Sequence, residues 1–380
     1  MNAGETLRTS RVKTGLPPVT PIRFAQATSF STTLKQRVEE VLNQRSLPRY
    51  GGPRVVLKAA FILAMLAVSY VALVFWASSL WQVVLCAFFV SQAIVLIGFN
   101  IMHDAGHGAF SRFGWLNRAM ARSLDLIGGS IDVWRVKHHV LHHTFTNINA
   151  FDDDLDVGML MRLHPSQPWR AWHRYQAFYA FPLYSLLSMH WVLSDFVEFF
   201  SGRIGRQGNT VTTQGKTALF VAFKLNFFVL GLGLPMLFHT AWSVLPTFLA
   251  IQLVVGFTIA LVFQLAHVVD IVDFPEATGP RVENEWMIHQ LQTTANFATG
   301  SRFVSWYCGG LNRQVEHHLF ASISHVHYKH LEPAVEQTCR EFNVAHRSYP
   351  TVFAAVRGHL SMLSQLARPD VEAEAQPQTA

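Results

Sequence analysis

The stretches AAFILAMLAVSYVALVF (59–75) and WQVVLCAFFVSQAIVLIGF (81–99) contain no charged residue and are parted only by the short segment Trp76–Leu80. An α-helix needs about 20 apolar residues to cross a bilayer, so the pair predicts a transmembrane helical hairpin. Two later runs, Leu219–Phe238 with the single charge Lys224 and Val244–Ala266, are joined by the uncharged link His239–Ser243 and predict a second hairpin. Neither tip holds Lys or Arg. The stretch between the hairpins holds Arg203, Arg206 and Lys216, and residues 1–58 hold ten Lys/Arg against three acids. The positive-inside rule then puts both tips outside and the remainder in the cytoplasm.

The chain divides accordingly into a cytoplasmic N-terminal segment (1–58), hairpin one (59–99), a cytoplasmic region (100–216), hairpin two (217–266), a second cytoplasmic region (267–363) and a flexible tail (364–380). Residues 1–58 lack the apolar core and cleavage site of a signal peptide. Tyr175–Phe200 is apolar enough to span, but it holds Pro182, His190, Asp195 and Glu198, and spanning would put the flanking histidine groups on opposite sides. It is read as lying in the membrane interface.

Composition supports this division. Of 380 residues 50% are hydrophobic and 14% charged, which excludes a disordered or fibrous chain. The net charge of +6 is spread between apolar runs with no dense basic stripe, so membrane lipid is the expected partner and nucleic acid is not. Cys86, Cys308 and Cys339 lie far apart, giving neither a disulfide framework nor a thiolate zinc site.

The 19 histidines carry the chemistry, because they gather in groups. HDAGH (103–107) follows the second apolar run, and on a continuing helix His103 and His107 share a face at i and i+4. HHVLHH (138–143) sets four imidazoles in six residues; at α-helical spacing His139 meets His142 and His143, while His138 pairs with His142. QVEHH (314–318) ends in a further pair, His317 and His318, preceded by Gln314. His267 follows the fourth run as His103 follows the second, and His289 is a candidate ligand or a surface residue. His325, His327 and His330 read as an exposed helix face, and His164, His173, His190, His239 and His346 have no informative spacing.

Imidazole-rich sites suit zinc, copper, iron or nickel. About seven to nine candidates exceed the four ligands of tetrahedral zinc and suit two open-sided metals. Two redox metals beside a bilayer point to oxygen activation on a lipid chain, with iron as the leading choice because hydrogen removal from an unactivated C–H bond is chemistry that no side chain supplies. The acidic run Asp152-Asp153-Asp154-Leu155-Asp156 contains a DDxxD pattern able to hold Mg²⁺ against a diphosphate, but no second acidic motif or phosphate clamp completes it. The carboxylates of this run are read instead as acceptors that orient imidazoles or as helix caps, with Asp104 and Glu316 as further candidate acceptors beside Asp152 and Asp153.

In these three boxes the chain resembles the integral-membrane fatty acid desaturases, from about residue 50 to 350. HHTFTNINAFDDDLD and HHLFASISHVHY look like the acyl-lipid and front-end branch, similar to linoleoyl-CoA desaturase, in which glutamine opens the third box. The resemblance implies an all-α integral membrane fold, four transmembrane helices in two hairpins beneath a cytoplasmic helical cap with a di-metal site. It implies two Fe ions held by His103, His107, His139, His142, His143, His317 and His318, with His267 added as a family-like histidine after the last span. Gln314 departs from the all-histidine box and leaves His289 as a substitute ligand; His138 is an extra ring placed outside the ligand set, and Ala321 stands where relatives often have proline. The implied reaction uses O2 and two electrons to remove two hydrogens from adjacent carbons of an acyl-lipid or acyl-CoA, leaving a cis double bond.

The His-Pro-Gly-Gly mark of a fused haem domain is missing, the nearest sequence being His164-Pro165-Ser166-Gln167. Electrons are therefore expected from a separate ferredoxin or small haem protein with its reductase, docking near Arg112, Arg118, Arg135 and Lys137; anionic headgroups are the competing partners of these residues. The expected location is the cell inner membrane or an endoplasmic-reticulum-like membrane, with the boxes on the cytoplasmic side. A lipid hydroxylase of the same architecture is the nearest alternative. A histidine-rich metal transporter is more remote, since transporters place ligands within the spans and these runs contain almost none.

Overall fold

The computed structural model describes residues 22–205, 209–210, 215–276 and 281–369. Residues 1–21 of the N-terminal segment, Arg206 and the tail from 370 lie outside the described residues. Among the described residues four helices are long and apolar enough to cross a membrane: Gly52–Trp76, Leu80–Gly106, Thr217–Met236 and Ala241–His267. The first starts ahead of its apolar run, with Pro53 in the opening turn where its missing N–H costs nothing. The second is capped by Gln82, whose Oε1 accepts from the amides of Ser78 and Ser79 at 2.9 and 3.1 Å. It runs on past Phe99 as one helix that carries the first histidine box in its last turns.

The outward faces of these helices are apolar and bare: Leu80 and Trp242 are 80% and 90% exposed. At about 25 cal/mol per Å² such surface is costly in water and at home in lipid. Inward, the second and fourth spans meet through Val95, Phe99, Val255, Ile259 and Ala266, and the same cluster takes in Phe297 and Leu311 of the polar layer. The first span lays Val55, Ala59 and Ile62 on Leu96, Ile97 and Ile101 of the second.

Tyr175–Phe200 becomes two helices, Gln176–Ser185 and Leu187–Ser201, of 10 and 15 residues and broken at Leu186. Neither has the length of a span. Asp195 is buried and takes the one charge of the third span, Lys224, whose Nζ lies 2.8 Å from its Oδ2. The same ammonium donates to the carbonyl of Gly128 at 2.5 Å. Gly128 holds φ +105 in a turn where a Cβ would meet Phe227 and Val192 at 2.8 and 3.0 Å, so only glycine fits. A charge that would be expensive in hydrocarbon thus fastens the third span to the turn below the histidines.

Among the described residues the polar layer is made of short helices and three two-stranded ribbons. Phe30, Leu34, Val38 and Leu42, one stripe of helix Ser29–Gln44, pack on Leu331, Val335 and Cys339 of helix Tyr328–Glu341. Arg23–Ala25 pairs in parallel with Arg281–Glu285, and Asn296–Phe297 with Ser348–Tyr349, so chain ends and middle close around the third box. All three cysteines are free thiols.

Candidate metal centre

His103 and His107 leave the last turn of the second span on one face, ring centroids 4.9 Å apart. Gly106 between them is required by close approach, since a Cβ there would meet the Trp134 ring at 2.6 Å. The second box lies in a π-helical turn, Arg135–His142, in which the amide of His143 reaches back to the carbonyl of His138. A π turn holds more residues than an α turn, so His138, rather than His139, shares a face with His142 and His143. His103 Nε2 and His143 Nε2 each lie 3.1 Å from His138 Nε2.

The donor atoms fall into overlapping groups, one joining His138 and His142 with Asp154 and two built from histidine alone around separate centres. His103, His107, His138 and His317 form one and His142, His267 and His318 the other, with ligand atoms within 4.8 Å of one another in each. His143 joins them, grouping with His317 and His318. His139 belongs to neither group, which reverses the order that α-helical spacing suggested: it is half-buried, with its ring 4.2 Å from that of His107. His289 is buried against Phe24, 5.1 Å between ring centroids, and is likewise outside the groups. Gln314 is inside, its amide nitrogen 2.9 Å from His267 Nε2.

The rings are prepared for a cation. Burial, reinforced by neighbouring imidazoles, holds His107, His138, His143, His317 and His318 well below the ordinary histidine range. They are neutral at pH 7, the form that binds metal. Burial also lowers His139, to about 4, helped by Arg135. His142 differs: burial pulls it down, but the carboxylates of Asp152 and Asp154 prevail and raise it to about 9.

Buried polar atoms nearly always find a partner, yet Nε2 of His107, His139, His317 and His318 and Oε1 of Gln314 are buried without a hydrogen bond. Three of the rings are held through Nδ1. His317 Nδ1 lies 3.1 Å from the Tyr328 hydroxyl, His318 Nδ1 2.8 Å from Gln290 Oε1 and His142 Nδ1 3.1 Å from Asp152. Anchoring Nδ1 aims Nε2 inward, the usual support of a metal-binding imidazole. This donor set, soft enough for a redox metal and split in two, fits a pair of metal ions.

Of the four acids expected to orient ligands, Asp152 does so. Asn147 adopts φ 58, the left-handed region Asn tolerates, and its amide donates to Asp152 Oδ2 at 2.9 Å, turning the carboxylate back onto His142. Asp104 instead accepts from Ser324 Oγ at 2.6 Å and His325 Nδ1 at 2.8 Å. Glu316 accepts from Asn296 at 2.9 Å, and Asp153 pairs with Lys137 at 3.0 Å. Asp152→Asn keeps the shape and removes the charge; product formed per unit of membrane-embedded protein is expected to fall about 10- to 100-fold.

Several contributors had no readable signal. Tyr328, Gln290 and Thr146, which lies 3.3 Å from His318 Nδ1, are common polar residues that only tertiary contact brings to the rings. His325 and His327 are buried instead of lining an exposed helix. Lys137, expected at a docking surface, is tied to Asp153 and Glu198 (2.6 Å), whereas Arg112 and Arg118 are exposed. Beside the rings lie two small cavities of about 30 and 40 Å³; Trp134 lines both, His138 the first and His103 the second.

Comparison with known proteins agrees with this geometry. The fatty acid desaturase family profile matches residues 78–350. The chain is 35% identical to an acyl-lipid (8-3)-desaturase of Physcomitrium patens over 90% of its own length and 72% of the relative's. It is 31% identical to the sn-1 linoleoyl-lipid 6-desaturase of Arthrospira platensis, covering 91% of this chain and 94% of that one. The corresponding values for the sn-1 linoleoyl-lipid 6-desaturase of Synechocystis sp. are 33%, 91% and 98%. Family profile, relatives covered over 72 to 98% of their length and grouped histidines lead to one assignment: the chain belongs to the fatty acid desaturases, and is an oxidoreductase of the membrane.

Proposed function

We propose that this enzyme introduces a cis double bond into the acyl chain of a membrane lipid, using two iron ions, O2 and two electrons from a separate ferredoxin or small haem protein and its reductase. The observation that carries the reading is the convergence of neutral, buried imidazoles into two donor groups beside apolar cavities. The ligands are His103, His107, His138 and His317 on one side and His142, His267 and His318 on the other, with His143 between them. His139 and His289 lie outside, and Gln314 offers an oxygen if its amide turns over. Bound iron supplies O2 activation and hydrogen removal from an unactivated carbon.

The chain's own residues do the rest. Asp152, Tyr328 and Gln290 fix the direction of His142, His317 and His318. Trp134, Leu124 and Phe263 wall the passage by the rings and keep water from it. The second and fourth spans end, and the first and third begin, at the histidine layer, which supports two hairpins with outward tips and a cytoplasmic cap formed by 100–216 and 267–363. The intervening 176–201 helices suit the interface, exposing Phe178, Leu193 and Val197. With Lys and Arg concentrated at that end, the rings face the cytoplasm of an inner or endoplasmic-reticulum-like membrane. The relatives' names specify acyl-lipids, which favours a glycerolipid carrier over CoA.

The test is the fatty acid profile of a host expressing the protein with a compatible electron donor and fed several acyl chains. A new unsaturated chain, absent with His317→Ala, is the expected result. A hydroxylated chain instead would overturn desaturation in favour of the hydroxylase.

A further inference from the structure

Of the rings named above as ligands, all but His107 are buried, so an ion reaches them only past the side chains that surround them. Two flanks of the site approach the surface, and they carry opposite charge. On one, His107 and His139 are half-buried, and Arg135 stands near enough that burial and its charge together lower His139 to about 4. That flank repels a cation. On the other stands Asp154, whose side chain is 45% exposed and whose carboxylate joins His138 and His142 in a group of donor atoms within 4.8 Å of one another.

Asp154 is not needed to hold a ring. His142 Nδ1 already has both oxygens of Asp152 at 3.1 Å, and Asp154 Oδ2 stands off at 3.4 Å. The nearby ammonium groups are engaged elsewhere: Lys137 lies 3.0 Å from Asp153 and 2.6 Å from Glu198, and Lys224 lies 2.8 Å from Asp195. Neither closes onto Asp154. Carboxylates also outnumber ammonium groups here, with Asp152, Asp153, Asp154, Asp195 and Glu198 set against Lys137 and Lys224, so the flank draws cations toward it. Asp154 and His138 line one cavity of about 30 Å³, room for a single small ion or water. Two imidazoles and one carboxylate with open positions make a donor set suited to ferrous iron.

We propose that Asp154, His138 and His142 form an entry site for Fe²⁺, which captures the ion from the aqueous side and passes it to the two inner histidine groups. The proposal rests on the desaturase reading, from which the identity of the ion comes. Each ring of the entry site also belongs to an inner group, His138 to that of His103, His107 and His317, and His142 to that of His267 and His318. An ion released by Asp154 is therefore already bound to a ligand of its destination, and one port serves both positions. Asp154 itself belongs to neither inner group, so it holds the ion in transit and not in the finished centre.

The test follows uptake of Fe²⁺ by the full-length protein, purified in an uncharged detergent, stripped with a chelator and mixed with a ferrous salt without oxygen. Two quantities are read: the rate of uptake and the iron bound per protein at its end. Asp154→Asn keeps the shape and removes the charge; the rate should fall about tenfold, with the final iron equal to that of the wild type. Asp154→Glu restores a carboxylate and should recover most of the rate. Asp156→Asn removes a charge from the same acidic run outside the donor group and should change the rate less than about twofold. If Asp154→Asn fails to accumulate, the wild type alone decides. Raising the ionic strength from about 0.01 to about 1 M shortens the reach of the charges from about 30 to about 3 Å and should slow its uptake about threefold; an unmoved rate would overturn capture by this flank. Equal rates for Asp154→Asn and the wild type, or equal slowing by Asp154→Asn and Asp156→Asn, in a protein that loads iron and desaturates would overturn the port alone. Less final iron in Asp154→Asn would make Asp154 a lasting ligand and overturn its transit role. A wild-type protein that takes up no iron would overturn the iron centre and the port with it.

Discussion

Replacing His317 by alanine is expected to reduce desaturation more than about a hundredfold and to lower the iron bound per protein, with the chain still inserted in the membrane. The expectation follows from its place in the site. His317 contributes to the group with His103, His107 and His138 and to the group with His143 and His318, so its removal thins both. Loss of residues that merely support ligands costs about 10- to 100-fold, and loss of a ligand shared as proposed should exceed that. Its Nδ1 is held by Tyr328, which leaves its buried Nε2, without a hydrogen bond, as the free donor atom. Metal analysis of the purified variant beside its activity checks both halves; full iron content would remove His317 from the ligand set.

The second large effect is a contrast between neighbours. His138→Ala should behave like His317→Ala, whereas His139→Ala should lose less than about tenfold. His138 Nε2 stands 3.1 Å from both His103 Nε2 and His143 Nε2, and its ring stacks on Trp134 with centroids 4.5 Å apart. His139 meets the site through the rings of His107, Trp134 and His138, the last 6.0 Å away between centroids. The same pair of measurements, iron content and product per protein, applies. The reverse ranking would mean that the π turn rewinds when metal binds.

That contrast also marks where the sequence stops being readable. The spans were legible because uncharged runs of that length have few other uses, and the boxes because paired imidazoles are rarely placed without purpose. The order within HHVLHH was not, because spacing converts to direction only once the pitch is known, and Arg135–His142 winds wider than an α-helix. Asp152 meets His142, but Asp104, Asp153 and Glu316, equally close in sequence to histidines, turn to Ser324 and His325, to Lys137 and to Asn296. A cavity of about 350 Å³ among the spans left no trace in any one segment, since its wall is assembled from all four spans and each contributes ordinary apolar side chains.

The spread of the ring-bearing positions, from His103 to His318, also governs biogenesis. While the chain is being made, the first hairpin can enter the bilayer with its two histidines in place, but the partners of those rings have yet to leave the ribosome. Neither donor group can close until the fourth span is seated and the third box has been synthesised. Loading of the proposed ions would accordingly follow completion of the polypeptide, and a nascent chain arrested after its second span would have a membrane anchor but no assembled donor group.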